Sequence, residues 1–324
     1  MLSPTAEHIP VLTVEIPVSY CPACRGNHVE VFLRAPDRFH GRQKDYELAR
    51  CPYCSLVWLN NPPSPAEMGE HYGPDYDRSV AAAGVSPDRW KGRVETISRL
   101  KSGGALLDLG CSSGNFLRSM KSPTWKLSGI EMSNEVAQRA EAASGAHIFV
   151  GDILDAPFAP ESFDVVTCFH VFEHLYQPLE VLERVTRWLK PGGIFYLMVP
   201  NIDSAGAKIF GRYWYALELP RHLFHFSPKS LATMANSVGL EKTSLITARE
   251  VFIEDSIRYM IDDAMRRFGR PRLPLAKATT PSIPFRVVRK AFRLTLLPVL
   301  DAGAGLVGDG ESIHGIFRKP ERGK

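Results

Sequence analysis

Four of the six cysteines fall into two pairs with the spacing of metal ligands. The pairs Cys21/Cys24 and Cys51/Cys54 lie in the sequences CPAC and CPYC. Two intervening residues allow a tight turn to direct both thiolates at one ion, and two such turns complete a tetrahedral sulfur shell that suits Zn²⁺. A module this small has little core, so the metal would supply much of its folding free energy. The spacing predicts a structural zinc ribbon over residues 1–62.

Three carboxylates follow successive apolar runs in the central part of the chain. Asp108 lies in LLDLGCSSGNFL, Glu131 follows KLSGI, and Asp152 lies just after HIFV. An acid at the end of a second strand can accept hydrogen bonds from a ribose diol, and Asp152 could accept from an adenine amino group. Asp108 would repel a pyrophosphate but suits the cationic amino-acid end of S-adenosylmethionine. The alternative is that each carboxylate caps a helix in an ordinary α/β sheet.

Short apolar runs alternate with polar helical segments from Ala105 onward. The runs are ALLDL, KLSGI, HIFV, FDVVTCF and GIFYLMV, and the segments between them include NEVAQRAEAAS and PLEVLERVTRWLK. This alternation predicts βαβ units and a parallel sheet covered on both faces. Gly110 and Gly114 permit positive φ at the first strand–helix turn, where Ser112 replaces the middle glycine of a dinucleotide fingerprint. Ligands of such a doubly wound sheet bind beyond the carboxyl ends of its strands.

The segment Ala105 to Asn201 resembles class I S-adenosylmethionine-dependent methyltransferases. The resemblance is carried by LLDLGCSSGNFL, GIEMS, GDILDAPF, FDVVTCFHVFEHL and LKPGGIFYLMVPN. It implies a Rossmann-like, seven-stranded, doubly wound α/β sheet whose last strand is antiparallel, with LEKTSLIT and SIHGIFRKP as the final pair. It also implies S-adenosylmethionine as cofactor. The implied contacts are Asp108, Gly110 and Gly114 at the methionine end, Glu131 at the ribose, Asp152 and Ile153 at the adenine, Phe169 and His170 beside the sulfonium, and the neighbouring Cys111 and Met132.

Four histidines lie in two motifs near the predicted reacting end of the cofactor. Methyl transfer is an in-line displacement that needs an aligned nucleophile and often a base that removes its proton. Histidine is the natural base near neutral pH. His170 and His174 follow the fourth strand, and His222 and His225 lie in PRHLFHFSP. We predict His222 or His225 as the base, with His174 as the next candidate. The alternative is that these histidines serve the fold.

An aromatic and charged segment over residues 201–228 follows the fifth strand. It resembles the family's substrate-covering loop, where aromatic and polar groups converge on a ligand. The alternative is that its aromatic cluster packs this insertion against the sheet. The candidate substrate contacts are Tyr213, Trp214, Tyr215, Glu218 and Arg221.

Prolines and composition indicate the domain boundaries. The proline-rich sequence NNPPSPAE predicts that the ribbon ends near Pro62. We expect a helical connector over residues 63–100 and the methyltransferase domain over residues 101–324. Insertions in that domain are expected at residues 201–228 and 251–308. Within the second insertion, residues 284–300 place basic side chains around apolar residues at helical spacing. This basic amphipathic helix either lies on an anionic membrane surface or presents a solvated face while packing on the protein.

Composition bounds the class of protein. The 324 residues are 44% hydrophobic and 23% charged, which is typical of a globular chain, and the net charge of +4 is small for a nucleic-acid binder. The N-terminal MLSPTAEHIPVLTVEIP has neither a secretory apolar region nor a basic transit pattern, and no apolar run approaches about 18 residues. We expect a cytoplasmic protein. The alternative is a cytoplasmic protein that contacts a membrane surface through residues 284–300.

The leading hypothesis is an enzyme that moves a methyl group from S-adenosylmethionine to oxygen or carbon of a small molecule or saccharide, including nucleotide-sugars and lipid-linked glycans. The ribbon with HVFEHL and PRHLFHFSP is similar to bacterial sugar and secondary-metabolite methyltransferases. One alternative is an RNA methyltransferase that grips RNA through the ribbon, against which the mixed charge of the ribbon argues. Another is a non-catalytic, zinc-stabilised binding module, against which the set Asp108, Glu131 and Asp152 argues.

Overall fold

A computed structural model describes residues 20–72, 88–248, 252–269 and 310–322. Within these ranges the chain forms a seven-stranded sheet and a four-stranded sheet, with helices packed on the larger one. No helix in the described ranges is both long enough and apolar enough to cross a bilayer. The basic segment 284–300 and most of the expected insertion 251–308 lie outside the described residues.

The seven-stranded sheet confirms the expected Rossmann-like topology. Its strand order is β6-β5-β4-β7-β8-β11-β10. Strands β4 to β8 pair in parallel, while β11 runs antiparallel to both of its neighbours. The predicted final pair is therefore confirmed as β10 and β11. The bounds are β4 Gly104–Leu109, β5 Trp125–Glu131, β6 His147–Val150, β7 Phe163–Phe169, β8 Leu189–Pro200, β10 Glu241–Ala248 and β11 Ser312–Arg318.

The helices cover the sheet with one apolar face each. The helix Pro178–Trp188 shows how the sequence does this: Pro178 begins it with a pre-set φ, and Val181, Val185 and Trp188 recur at helical spacing and are buried. The helices are α1 Pro65–Met68, α2 Asp88–Leu100, α3 Asn115–Met120, α4 Asn134–Ser144, α5 Pro178–Trp188, α6 Ala205–Phe210, α7 Pro228–Ser237 and α8 Ile253–Arg267.

The four-stranded sheet joins the cysteine-rich region to the loop that carries PRHLFHFSP. Its order is β1 (Glu30–Pro36), β2 (Asp45–Arg50), β3 (Val57–Leu59) and β9 (Phe224–His225), all antiparallel. The residue pairs across β3 and β9 are Val57 with His225 and Trp58 with Phe224. The hydrophobic core continues from Trp58 into the large sheet at Leu107. The predicted ribbon therefore shares both a sheet and a core with the rest of the chain.

Candidate active site

The turn after β4 has the backbone shape that a closely bound ligand requires. Gly110 and Gly114 have φ values of 64° and 72°, the left-handed region that glycine enters without strain. A Cβ added to Gly110 would lie 2.5 Å from Val171 Cγ2, and one added to Gly114 would lie 2.8 Å from the Cα of Ala140. Glycine is therefore required here on two grounds, backbone conformation and space.

Asp108 is a buried carboxyl at the carboxyl end of β4. Its side chain is 4% exposed, and the Thr167 hydroxyl donates to its Oδ1 at 2.7 Å. Burial disfavours the ionised form and raises the pKa of Asp108 to about 7, while Thr167 and the Arg93 charge oppose the rise. A carboxyl in this state is poised to ionise when a cation arrives beside it.

Glu131 is the last residue of β5, and Asp152 follows the end of β6; both accept hydrogen bonds from nearby backbone N–H groups. The two Glu131 oxygens accept from the backbone N–H groups of Ser112 and Ser133, each at 3.0 Å. Asp152 Oδ1 accepts from the Leu154 N–H at 2.8 Å and so caps a short 3₁₀ turn. The capping alternative thus describes part of what Asp152 does. Each carboxylate oxygen keeps a second lone pair for a ligand, so both residues can also serve a cofactor.

The remaining predicted cofactor contacts differ in exposure. Cys111 and Ile153 are buried, whereas Met132 is 69% exposed. Phe169 contacts Phe116 edge-to-face at 5.0 Å. His170 has a φ of 57°, and its N–H donates to the carbonyl of Met198. Their contacts with the cofactor stay predictions.

Helix α2 places two further residues, Trp90 and Arg93, at the carboxyl end of the parallel strands. The sequence patterns did not identify them. The Trp90 ring lies 6.3 Å from the Phe169 ring. The Arg93 guanidinium lies 4.8 Å from the centre of the Trp90 ring and 5.3 Å from that of Phe169, and it contributes to the electrostatics of Asp108. The predicted connector therefore packs directly over the end of β7. An amphipathic helix alone gives no sign of which face meets the site.

The predicted general bases form one cluster. The His174 and His222 rings lie 4.6 Å apart in a T-shaped contact, and the His225 ring lies 6.2 Å from that of His222. His222 and His225 are almost fully buried, and burial lowers the pKa of His222 well below its usual value and that of His225 to about 3. Both rings are neutral near pH 7 and are weak proton acceptors. Their role as bases stays a prediction.

Glu173 belongs to the same cluster, although the sequence patterns assigned it no role. It is 1% exposed, and a carboxylate oxygen lies within 4.8 Å of ring nitrogens of His174 and His222. Its position immediately before His174 in HVFEHL was the available signal.

The predicted substrate residues lie at the packing interface of their loop. Tyr213 donates to Asp263 on α8 at 3.0 Å, and the buried Trp214 donates through Nε1 to Glu311 at 2.8 Å. The Tyr215 ring stacks on Tyr259 at 5.8 Å, and Arg221, fully buried, lies 3.3 Å from Glu218. These contacts match the packing alternative for the aromatic residues. Contact with a substrate stays a prediction for all five.

The four cysteines of the ribbon converge as a metal site requires. The Sγ atoms of Cys21 and Cys54 lie 3.4 Å apart, those of Cys24 and Cys51 lie 3.5 Å apart, and all four fall within 4.8 Å of one another. All are free thiols. A Zn²⁺ ion with Zn–S bonds of about 2.3 Å places its tetrahedral sulfurs roughly 3.8 Å apart, so the set fits zinc with small adjustments.

The two cysteine turns are built alike. Arg25 and Ser55 follow the second cysteine of each pair with φ values of 58° and 66°, and their N–H groups donate to the carbonyls of Cys21 and Cys51, each at 2.9 Å. Two equivalent knuckles facing one point are the geometry of a zinc ribbon.

Comparison with known proteins agrees with this geometry. A methyltransferase-domain family model matches residues 85–245. The ubiquinone biosynthesis O-methyltransferase of Thiobacillus denitrificans is 31% identical over 169 residues, covering 48% of this chain and 71% of that protein. The enzyme of the same name from Paraburkholderia phymatum is 32% identical over 151 residues, covering 43% of this chain and 65% of that protein, so just under two thirds of its length is matched.

A solved structure gives the same fold. Phosphoethanolamine N-methyltransferase 2 of Haemonchus contortus, in complex with S-adenosyl-L-methionine, superposes with a TM-score of 0.53 at 15% identity, covering 90% of this chain and 69% of that one. With the sequence relatives, the sheet order and the carboxylates at the strand ends, this settles the class. The chain belongs to the class I S-adenosylmethionine-dependent methyltransferases.

Proposed function

We propose that this chain transfers the methyl group of S-adenosylmethionine to a hydroxyl oxygen of a small molecule, with a saccharide hydroxyl as one form of that acceptor. The observation that carries the proposal is the meeting of two sets of residues. The turn with Gly110 lies against Val171, and Val171 begins the segment that leads into Glu173 and His174. The predicted cofactor-binding turn after β4 and the histidine cluster are therefore neighbours at one end of the sheet.

The relatives favour oxygen over carbon as the atom that is methylated. The two ubiquinone biosynthesis enzymes are named as O-methyltransferases. A hydroxyl acceptor must lose its proton during the transfer, and because burial makes His222 and His225 weak bases, that proton needs a route other than these two rings.

We further propose that the ribbon binds one structural Zn²⁺ through Cys21, Cys24, Cys51 and Cys54. The fit of the four sulfurs supports this. Four thiolates fill the tetrahedral shell, so the ion has no open position for chemistry.

The direct test is transfer of a tritiated methyl group from S-adenosylmethionine to a panel of acceptors. The panel contains catechols, nucleotide-sugars, lipid-linked glycans and total RNA. Methylation of a hydroxyl in one of the small-molecule groups supports the proposal. Label in RNA alone, or in a carbon–methyl product alone, contradicts it.

A further inference from the structure

Glu173 has a buried carboxyl group whose oxygens are not hydrogen-bonded within the described residues. Both of its oxygens lack a hydrogen-bond partner within the described part of the chain. The ring Nδ1 of His170 lies 3.5 Å from Oε1, which is long for a hydrogen bond. An ionised carboxylate that is removed from water is strongly unfavourable unless a cation or a donor faces it. Within the described residues this carboxyl group therefore has no hydrogen-bonded partner, and a bound cation would supply one.

Two histidines face this carboxylate with their tautomers already fixed. His174 Nδ1 lies 3.0 Å from the Arg221 carbonyl oxygen, and His222 Nδ1 lies 2.8 Å from that of Ala216. Because a carbonyl oxygen can only accept, each Nδ1 carries the ring proton and each Nε2 has a free lone pair. The Tyr72 hydroxyl, 3.1 Å from His174 Nδ1, can share that proton as a second acceptor. Metal-binding histidines typically have this arrangement.

The other charged groups around the cluster are consistent with a missing cation. His222 Nε2 lies 3.8 Å from Glu218 Oε2, so a lone pair faces a second carboxylate. Arg221 Nη2 lies 3.3 Å from Glu218 Oε2. His225, with neither ring nitrogen hydrogen-bonded within the described residues, has its ring 6.2 Å from that of His222.

We propose that Glu173, His174 and His222 bind a divalent metal ion, separate from the four-cysteine site, and that this ion holds the acceptor hydroxyl. One carboxylate and two imidazoles suit Zn²⁺, Fe²⁺ or Mn²⁺. Tetrahedral ligands of an ion bound at about 2.1 Å are roughly 3.4 Å apart, so ligand atoms that now lie within 4.8 Å of one another must approach by up to about 1.4 Å to bind it. Three protein ligands leave open positions for the acceptor.

The role in the reaction rests on the proposed function. An ion held by Glu173, His174 and His222 would lower the pKa of a bound hydroxyl, whose proton would pass to solvent. Its oxygen then forms a bond to the methyl carbon while the carbon–sulfur bond breaks, and the sulfonium becomes a neutral thioether. His222 would thus act on the acceptor's proton through the ion, and would not take the proton itself.

A second cluster shows what a satisfied group of the same residue types looks like. Asp37 Oδ2 lies 2.9 Å from Nδ1 of both His40 and His71, so its charge is paired by ring N–H donors. Among the residues that the structure describes, Glu173 has no ring N–H within hydrogen-bond geometry. The contrast separates a hydrogen-bonded network from a site that lacks its cation.

Metal content after equilibrium dialysis tests the site without relying on activity. The full chain is dialysed against Zn²⁺ or Mn²⁺, desalted, and analysed by elemental mass spectrometry. We expect wild-type protein to hold one equivalent of zinc in the ribbon and a second divalent equivalent here. Glu173→Gln and His222→Gln should each weaken the second equivalent at least tenfold. The exposed residues Glu183 and His147 provide the controls Glu183→Gln and His147→Gln, which should keep both equivalents.

A spectroscopic readout identifies the ligands and does not require a folded variant. Mn²⁺ prefers oxygen and nitrogen donors to thiolates, so in wild-type protein it reports this site and not the ribbon. Pulsed electron paramagnetic resonance should show nitrogen coupling from imidazole. A wild-type chain with no second equivalent, or with Mn²⁺ lacking imidazole coupling, overturns the inference. If the chain transfers methyl groups but binds no second ion, the proposed function stands and this inference fails. If it binds the second ion but methylates no acceptor of the panel, only the proposed function is contradicted.

Discussion

Ionisation of Asp108 should control how tightly the chain binds S-adenosylmethionine. In the unliganded protein the pKa of Asp108 is raised to about 7, chiefly by burial. The cofactor brings an ammonium group and a sulfonium, which favour the ionised carboxylate and should lower that pKa well below 6 once bound. Binding at pH 6 must therefore release the proton of Asp108. At pH 8 the free protein has largely lost that proton already, so little is released.

The size of the effect follows from this pKa. For a group with a pKa near 7 that must lose its proton, affinity is reduced about elevenfold at pH 6 and about twofold at pH 7. Affinity should thus rise roughly fivefold between pH 6 and pH 7. The amino group of the ligand, with a reference pKa of about 7.7–8.0, stays protonated in this range and does not mask the change.

The same shift has a consequence for stability. A carboxyl whose native pKa lies above its unfolded value of about 3.9 leaves the native state with more bound protons, so stability falls as pH rises from about 4 to 7. The full loss above pH 7 is about 4 kcal/mol for an unliganded chain. Asp108→Asn should therefore weaken cofactor binding by about 1–3 kcal/mol and yet stabilise the unliganded protein at pH 8.

Isothermal titration calorimetry at pH 6.0, 6.5 and 7.0, in two buffers of different ionisation enthalpy, measures both affinity and proton release. Asp108→Asn should bind with no pH dependence in this range, and the exposed Glu183→Gln should behave as wild type. Equal wild-type affinity at pH 6 and pH 7, or the same slope in Asp108→Asn, would refute the reasoning.

Three further predictions concern the turn, the ribbon and the histidines. Gly114→Ala should lower the melting temperature more than Gly145→Ala, because both glycines have a φ of 72° but only the first new Cβ meets backbone, at 2.8 Å; thermal unfolding monitored by circular dichroism compares them. Cys51→Ser should lose the ribbon zinc, measured by elemental analysis, and lower stability by several kcal/mol. His222→Gln should reduce turnover at least about tenfold with cofactor affinity retained, because it removes one of the three proposed ligands of the second ion, and near-normal turnover would mean that the acceptor's proton is handled elsewhere.

The large sheet and the positions of Asp108 and Glu131 at one of its edges could be predicted, because both depend on local patterns. Short apolar runs separated by helical segments fix parallel strands, and the carboxyl ends of parallel strands share one edge. Asp108 and Glu131, on adjacent strands, therefore had to lie near each other. The glycines of the first turn followed from the same reasoning, since a tight turn beside a ligand favours residues that adopt positive φ without strain.

The contacts between the ribbon and the catalytic region could not be predicted in this way. Strand β9 has only two residues, too few to show a periodic pattern, and it pairs with β3 about 170 residues earlier in the chain. The Asp37–His71 contact likewise joins residues 34 positions apart. Such pairings depend on tertiary packing, which leaves no local signal. For the same reason, local sequence carries no signal that Tyr213 and Tyr215 contact α8 or that Trp214 contacts Glu311.

The shared sheet gives the ribbon a function beyond its own stability. Leu223 donates its N–H to the Glu173 carbonyl at 2.8 Å, and its carbonyl accepts from the Leu59 N–H at 2.8 Å. One residue therefore connects the end of ribbon strand β3 to the turn that holds Glu173. His225 pairs with Val57 two residues later. The proposed Zn²⁺ would hold the ribbon in shape, so its loss should displace the histidine cluster. The end of β4 that carries Asp108, which β5 and β7 support, should remain in place. A zinc-free chain should accordingly bind S-adenosylmethionine and fail to transfer its methyl group.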